Sequence, residues 1–359
     1  MEQVLMQRQL RVIATFIILA ILSATLIIAC QNIPSQNTTQ SKTVQTTSAI
    51  AIGLPTGKTS FANVDVAIAA EMGFFKQQGL NVNIKNLDSA VKVVQAVVAG
   101  DVAIGGASTE PVVNAAAAGG KISVIGTYAN RLTVSMVTPK AIKSIADLRG
   151  KNVGVQDIGA FREIMTRMVL QSANLTPKDV NYIPISPPSY IQALITGQIE
   201  SAILQTEQVF DILKRDSRFH ILVNLHEVEP EYFYGNYLVR KDWLAKNSDL
   251  AVRYLTALIQ AHRFMYQNKT ETVAIAVQTT GFDASVIEKT YNVLLEKNKV
   301  FPVNEGIDEK RLTYTISRMK SLGVLKAKEP DLAQLIERKP ITIALNKLGK
   351  ASEEVLLQK

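Results

Sequence analysis

An apolar helix that stops at a glycine and runs straight into a strand occurs twice in this chain, and the duplication constrains the fold more than any other feature. Gln95-Ala-Val-Val-Ala-Gly100-Asp-Val102 matches Gln192-Ala-Leu-Ile-Thr-Gly197-Gln-Ile199, and Ala103 and Gly105 then align with Glu200 and Ala202. Glycine takes the left-handed conformation that closes a helix just past its end. Small residues in the strand that follows leave room for a ligand or a close backbone. Each copy holds a similar place in its own series of elements.

The first series alternates strands (Ala49–Leu54, Leu80–Lys85, Val102–Gly105, Ile122–Thr127, Thr133–Val137) with helices (Val64–Phe75, Ala90–Ala99, Thr109–Ala118). A second begins after Pro139, with strands at Asn152–Val155, Val180–Ile183, Ala202–Leu204 and His220–Val223. Its helices fall at Ile145–Leu148, Phe161–Ala173, Ser189–Thr196 and Val209–Lys214. Beyond a strand at Tyr237–Val239 the pattern turns helical: Trp243–Lys246, Leu250–Gln267, Thr270–Gln278, Ala284–Leu295 and Glu309–Leu322. Such alternation implies βαβ units on mainly parallel sheets. The 359 residues suit two lobes, each of roughly 150. The chain is expected to cross between them near Thr138 and Tyr237.

The N-terminus reads as an address. Arg8 and Arg11 precede an uncharged apolar run from Val12 to Ile28, as in a secretory signal. Ile27-Ile28-Ala29-Cys30 resembles a bacterial lipobox, which implies cleavage before Cys30 and lipidation of its sulfur. An uncleaved anchor helix is the alternative. The stretch QNIPSQNTTQSKTVQTTS after Cys30 has little to bury and reads as a flexible tether. The expected organisation is a signal over 1–29 and a tether over 30–48. The first lobe takes 49–138 with 238–359, including C-terminal helices, and the second takes 139–237. Both readings of the N-terminus put the folded part outside the cytoplasm, which argues against chemistry needing cytosolic ATP, NAD or nucleic acid.

Cys30 is the single cysteine, so no internal disulfide or cysteine-based metal site is possible. His220, His226 and His262 lack metal-ligand spacing. The net charge of +8 and a pI near 9.3 could favour anionic partners. The Lys and Arg residues are scattered, so a generally basic surface is expected rather than a nucleic-acid groove.

Four ordered motifs carry a family resemblance. Ala70-Glu-Met-Gly-Phe-Phe-Lys-Gln-Gln-Gly-Leu80 is similar to the start of periplasmic binding proteins of the sulfonate/taurine/nitrate group, which has relatives that bind thiamine-pyrimidine precursors. Gln95–Ser108, Leu148–Val155 with Gly159, and Gln192–Ala202 resemble its further signatures. The resemblance implies a two-lobed periplasmic binding protein type II fold of α/β class. Mixed, mostly parallel sheets would be flanked by helices, with a ligand cleft between the lobes. It further implies a monomer that hands a small molecule to an ABC permease, held to the membrane by its lipid anchor, with no cofactor and no nucleic acid.

In open α/β sheets ligands sit beyond the carboxyl ends of strands, where helix N-termini offer free N–H groups. Candidates follow from that rule. Thr56, Lys58 and Thr59 lie in the loop after the first strand. Its Gly53-Leu-Pro-Thr-Gly57-Lys58-Thr59 is one residue too short between glycines for a phosphate loop. Ser108 and Thr109 end a strand and open a helix, where Ser108 reads as an N-cap and, by the resemblance, as a ligand contact. Glu110 in the next turn suits the helix dipole or a ligand amine. Asp157, Gly159, Ala160 and Phe161 form a loop in which Gly159 permits close backbone approach and the N–H groups of Ala160 and Phe161 could face an anion. Arg162 opposes the helix dipole unless an anion binds beside it, and Arg131 is a second possible anion partner. Gln205 and Glu207 could supply hydrogen bonds. Tyr234, in Tyr232-Phe233-Tyr234, could stack on a ring or pack a hinge.

Arg131, Arg162 and the glycine loops favour a sulfonate- or nitrate-like oxyanion. Glu110, Glu207 and the tyrosines favour a pyrimidine or flavin precursor. A pyrimidine-synthesising enzyme on the same fold would need a cysteine-rich motif, which this chain lacks, and no G-x-S-x-G elbow or general-base histidine is present. Catalysis is therefore not expected.

Overall fold

The computed structural model describes residues 47–56 and 60–352. Cys30, the apolar run before it, the tether to Thr46, and Lys58 with Thr59 lie outside the described residues. The fold is two five-stranded sheets with helices packed on them.

The first sheet contains β1 (Ser48–Leu54), β2 (Leu80–Asn86), β3 (Ile104–Ser108) and β4 (Ile122–Gly126). The second contains β5 (Val134–Pro139), β6 (Asn152–Val155), β7 (Asn181–Pro184), β8 (Ser201–Gln205) and β9 (Phe219–Asn224). The last strand, β10 (Gly235–Arg240), returns to the first sheet. The strand orders are β2-β1-β3-β10-β4 and β7-β6-β8-β5-β9. β1 runs parallel to β2 and β3, and β6 runs parallel to β7 and β8. In each sheet the strand arriving from the other lobe is antiparallel to both neighbours: β10 against β3 and β4, β5 against β8 and β9. The two sheets therefore share one topology.

The crossings come earlier than the sequence suggests. The chain leaves the first sheet after Gly126 and enters the second at Val134, ahead of Thr138. It leaves the second after Asn224 and re-enters the first at Gly235, ahead of Tyr237. Val134–Pro139 thus pairs in the second sheet.

The repeated unit folds as expected. The helices are α1 (Val64–Glu71), α2 (Ala90–Ala99), α3 (Thr109–Ala117), α4 (Phe161–Ser172), α5 (Tyr190–Ile195) and α6 (Thr206–Arg215). Gly100 after α2 has φ 88° and Gly197 after α5 has φ 73°, the left-handed values that end each helix. β3 and β8 are buried along their whole length. Strands covered on both faces lose the in–out alternation of half-exposed strands. A Cβ on Gly105 would come within 2.7 Å of Val93 and Val97, so α2 rests directly on the β3 backbone.

C-terminal helices follow β10: α7 (Lys241–Gln267), α8 (Lys269–Thr280), α9 (Ala284–Tyr291) and α10 (Glu309–Ser321). The start of α9 is tied to α6 of the second lobe, where Lys214 Nζ donates to Ser285 Oγ at 3.2 Å. Two sequence-predicted helices, Trp243–Lys246 and Leu250–Gln267, merge into α7 across a kink at Asn247 (φ −131°, ψ 30°). Asn247 Nδ2 donates to the Trp243 carbonyl at 2.9 Å. The predicted helix Val64–Phe75 instead ends at Glu71, because Gly73 turns left-handed at φ 71°. Ile336 bridges Val124 beside β4 and covers part of that sheet edge.

A buried polar knot ties α1 to α7. Asp65 Oδ2 accepts from the Tyr237 hydroxyl at 2.7 Å and pairs with His262 Nε2 at 3.0 Å. His262 Nδ1 lies 2.7 Å from the Pro302 carbonyl. This histidine is a structural group. Among the described residues no His/Cys/Asp/Glu cluster could hold a metal, and no helix is long and apolar enough to cross a membrane.

Candidate functional site between the two sheets

The duplication runs further than the helix–glycine–strand unit. At the same stagger, Ser108-Thr109-Glu110 aligns with Gln205-Thr206-Glu207. Each Thr-Glu pair opens the helix that leaves the carboxyl end of its strand, α3 after β3 and α6 after β8. Thr109 donates to the Tyr234 carbonyl twice, from its N–H at 2.9 Å and its hydroxyl at 3.2 Å. Thr206 does the same to the Thr133 carbonyl, at 3.1 and 2.8 Å. Tyr234 and Thr133 are the residues immediately before β10 and β5. Each crossing is therefore pinned to a helix N-terminus as it enters its new sheet.

The two glutamates are buried beside these pins. Glu110 Oε1 accepts from the Tyr232 hydroxyl at 2.5 Å. Burial pushes its pKa above the ordinary carboxylate value, against the opposing effect of that hydrogen bond. Glu207 Oε1 accepts the backbone N–H of Phe61 at 3.1 Å, a bond between the two lobes. Burial is the main cause that pushes Glu207 up to about 7, with backbone N–H groups and the Arg162 charge opposing.

Arg162 is only 4% exposed. Its Nη2 donates to Gln208 Oε1 at 2.9 Å and its Nη1 to the Ile203 carbonyl. Its guanidinium carbon sits 4.6 Å from the centre of the Tyr190 ring. Among the described residues no carboxylate is hydrogen-bonded to this buried cation. Gln205 bridges the lobes, accepting from Thr133 Oγ1 at 2.8 Å and donating to the Tyr234 hydroxyl at 3.0 Å. The Phe161 ring leans on Tyr234, with centres 4.6 Å apart. The cluster thus brings together Thr109, Phe161, Arg162, Gln205, Glu207 and Tyr234.

Other candidates fall elsewhere. Ser108 is buried at the N-cap position, but its hydroxyl makes no cap bond and has no hydrogen-bond partner among the described residues. The N3 residue is Pro111, which has no N–H to offer it, and the Glu110 N–H is engaged by the carboxyl of Glu110 itself. Gly159 is left-handed (φ 79°), and its N–H donates to Glu163 Oε2 at 2.9 Å. The Ala160 N–H donates to the Asp157 carbonyl at 3.1 Å. The Ala160 N–H is thus engaged within its own loop, against the expectation that it faces an anion. Asp157 is exposed. Arg131 is also exposed, and its charge acts on His226, Tyr266 and Arg311. It is not a partner of Arg162.

A cavity of about 760 Å³ adjoins the cluster at Ser60. Leu54, Val66, Ala67 and Ala70 line it from the first lobe, and Pro187 and Pro188 from the second. Thr56 lies on its wall and donates to Asn63 Oδ1 at 3.2 Å. Its size is that of a small-molecule pocket.

The family model described as NMT1/THI5 like matches residues 61–272. The chain belongs to the NMT1/THI5-like family. The taurine-binding periplasmic protein of Escherichia coli is 26% identical over 201 residues, 54% of this chain and 60% of that protein. Two solved structures share the fold. The alkanesulfonate-binding protein SsuA of Xanthomonas axonopodis pv. citri, bound to MOPS, superposes with TM-score 0.67 at 17% identity, over 81% of this chain and 98% of that one. The periplasmic nitrate-binding protein NrtA of Synechocystis PCC 6803 gives TM-score 0.70 at 13% identity, over 86% and 91%.

Within this NMT1/THI5-like chain, sequence reasoning overlooked Ser60, Phe61, Asn63, Gln208 and the Pro187–Pro188 wall. The Thr-Glu recurrence was a signal available for the pins. Nothing local marked Phe61, whose part is played by its backbone.

Proposed function

We propose that this chain is the extracytoplasmic binding component of an ABC importer, tethered through lipidated Cys30, and that its interlobe site takes a small organic oxyanion of the sulfonate type. The observation that carries the ligand class is Arg162, a buried guanidinium at the lobe junction with no carboxylate among the described residues bonded to it. A buried cation without a counter-charge is costly, and an oxyanion supplies one through charge-assisted bonds. Glu207 does not compensate it fully, because that carboxyl gives up its charge near neutral pH. The sulfonate and taurine specificities named for the relatives agree with this reading. Lobe closure over the ligand is the signal presented to the permease, and no bond of the ligand is broken.

A pyrimidine or flavin-like heterocycle is the second reading, supported by the Phe161–Tyr234 ring pair and buried Glu110. Calorimetric titration with methanesulfonate, taurine, nitrate and an aminopyrimidine, at pH 6 and pH 8, separates the two. Oxyanion binding that strengthens at pH 6 supports the first reading, and exclusive aminopyrimidine binding overturns it. The anchor is tested by labelling cells with a fatty acid. Label on the wild-type chain and none on Cys30→Ser is expected.

A further inference from the structure

The cavity beside Ser60 is walled by Leu54, Pro55, Val66, Ala67, Ile84 and the Pro187–Pro188 pair, an apolar surface shared between both lobes. Such a wall returns nothing to a bare inorganic oxyanion, which keeps its hydration, but it stabilises a carbon skeleton by taking it out of water. The charged side chains among its described lining residues are the exposed carboxylates Glu71 and Asp88, the latter 3.9 Å from Lys92 Nζ. A second negative charge on the ligand would meet them as a like charge. Asn63 also lines the cavity. It is 6% exposed, and its Nδ2 has no hydrogen-bond partner among the described residues while its Oδ1 accepts from Thr56. An unsatisfied buried donor is destabilising unless something accepts from it.

Ser60 joins the two spaces. It lines the cavity and stands beside Glu207, whose pKa its hydroxyl helps to hold down. We infer that the cavity is a second compartment of the same site, and that the ligand is a monoanion carrying an apolar body of ring size with an acceptor atom for Asn63. The anionic end of that assignment rests on the Arg162 reading above; the apolar end rests on the cavity alone.

The test uses the full chain and three sulfonate probes, methanesulfonate, benzenesulfonate and benzene-1,3-disulfonate, with uncharged benzamide as a fourth. Titration calorimetry on the wild type is expected to favour benzenesulfonate over methanesulfonate by at least about tenfold, the effect of burying a ring. The disulfonate is expected to lose at least about tenfold against benzenesulfonate from like-charge repulsion at Glu71 and Asp88. Ala67→Trp fills the cavity and collapses the benzenesulfonate-to-methanesulfonate ratio to about one. Ala70→Phe, at a more exposed position of the same wall, does the same if the tryptophan variant fails to fold. Equal affinity for the two monosulfonates, unchanged in ratio by either variant, overturns the compartment and leaves the anion reading standing. Benzamide binding that both variants abolish, with no sulfonate bound, upholds the compartment and overturns the anion. No binding of any probe overturns both.

Discussion

The backbone N–H of Phe61 reaches Glu207 Oε1 at 3.1 Å, so a residue just before α1 in one lobe holds the first turn of α6 in the other. Neither group is exposed, and the bond exists only while the lobes touch. A second interlobe bond runs from Gln156 Nε2 to the Asp88 carbonyl at the cleft edge. Closure therefore ties the strand ends of both sheets around one acid.

That acid makes stability depend on pH. Glu207 has a folded-state pKa of about 7 against an ordinary 4.5. Between those values the folded chain holds a proton that the unfolded chain has released, so the contribution falls as pH rises through the window and is flat above it. The window spans about 3 kcal/mol at ~1.4 kcal/mol per pH unit. Urea denaturation of wild type and Glu207→Gln at pH 5 and pH 8 checks this. The wild type loses about 3 kcal/mol more than the variant between the two conditions, and parallel losses would falsify the assignment.

Gly235 is a place where no side chain fits. A Cβ there would lie 2.3 Å from the Tyr128 ring. Gly235→Ala is expected to cost about 2–3 kcal/mol through overpacking. Tyr128→Leu made in the same chain recovers part of that loss. A thermal-unfolding double-mutant cycle measures the coupling, and an additive cycle rejects the steric account.

Thr109→Val and Thr206→Val each remove a hydroxyl donor while the backbone N–H keeps its bond. Thr206→Val is expected to cost about 1 kcal/mol. Thr109→Val is expected to cost about 2–3 kcal/mol, because the Thr109 hydroxyl also accepts from the buried Asn236 Nδ2 at 2.8 Å and its loss leaves that donor unpaired. Because the pins lie on different sheets, the double variant should equal the sum within about 0.5 kcal/mol, and equal single costs, read from urea denaturation, would reject the added role of Thr109.

Arg162→Met keeps the length of the side chain and its contact with Tyr190, but it removes the guanidinium donor from the Ile203 carbonyl and leaves Gln208 Oε1 with the Gln205 N–H, at 3.2 Å, as its partner. A stability loss of about 1–3 kcal/mol is expected, with sulfonate affinity falling at least about 30-fold. Arg162→Lys restores charge without the planar fork and recovers only part of the affinity. A variant that is destabilised yet binds as tightly as wild type confines Arg162 to a structural role.

Much of the architecture is legible because helix-ending glycines and apolar runs act locally: Gly100 and Gly197 announce β3 and β8 without help from the rest of the chain. What stays hidden depends on distant partners. Ser108 looks like an N-cap, yet Tyr234, far along the sequence, supplies the carbonyl that holds the helix start. Arg131 and Arg162 look alike on paper. One is exposed beside a crossing, while Tyr190, Ile203 and Gln208 converge to bury the other. The kink at Asn247 needs a side chain to bond back to Trp243, an event that periodicity does not record.

Gly235 touches the outgoing crossing at two points, its N–H donating to the Ala129 carbonyl at 2.9 Å and its carbonyl accepting from Thr127. Two ribbons stitched side by side resist being sheared past each other but fold readily about the line that joins them. The two crossings of this molecule are consequently one double-stranded joint, with α3 and α6 rooted at its ends through the Tyr234 and Thr133 carbonyls.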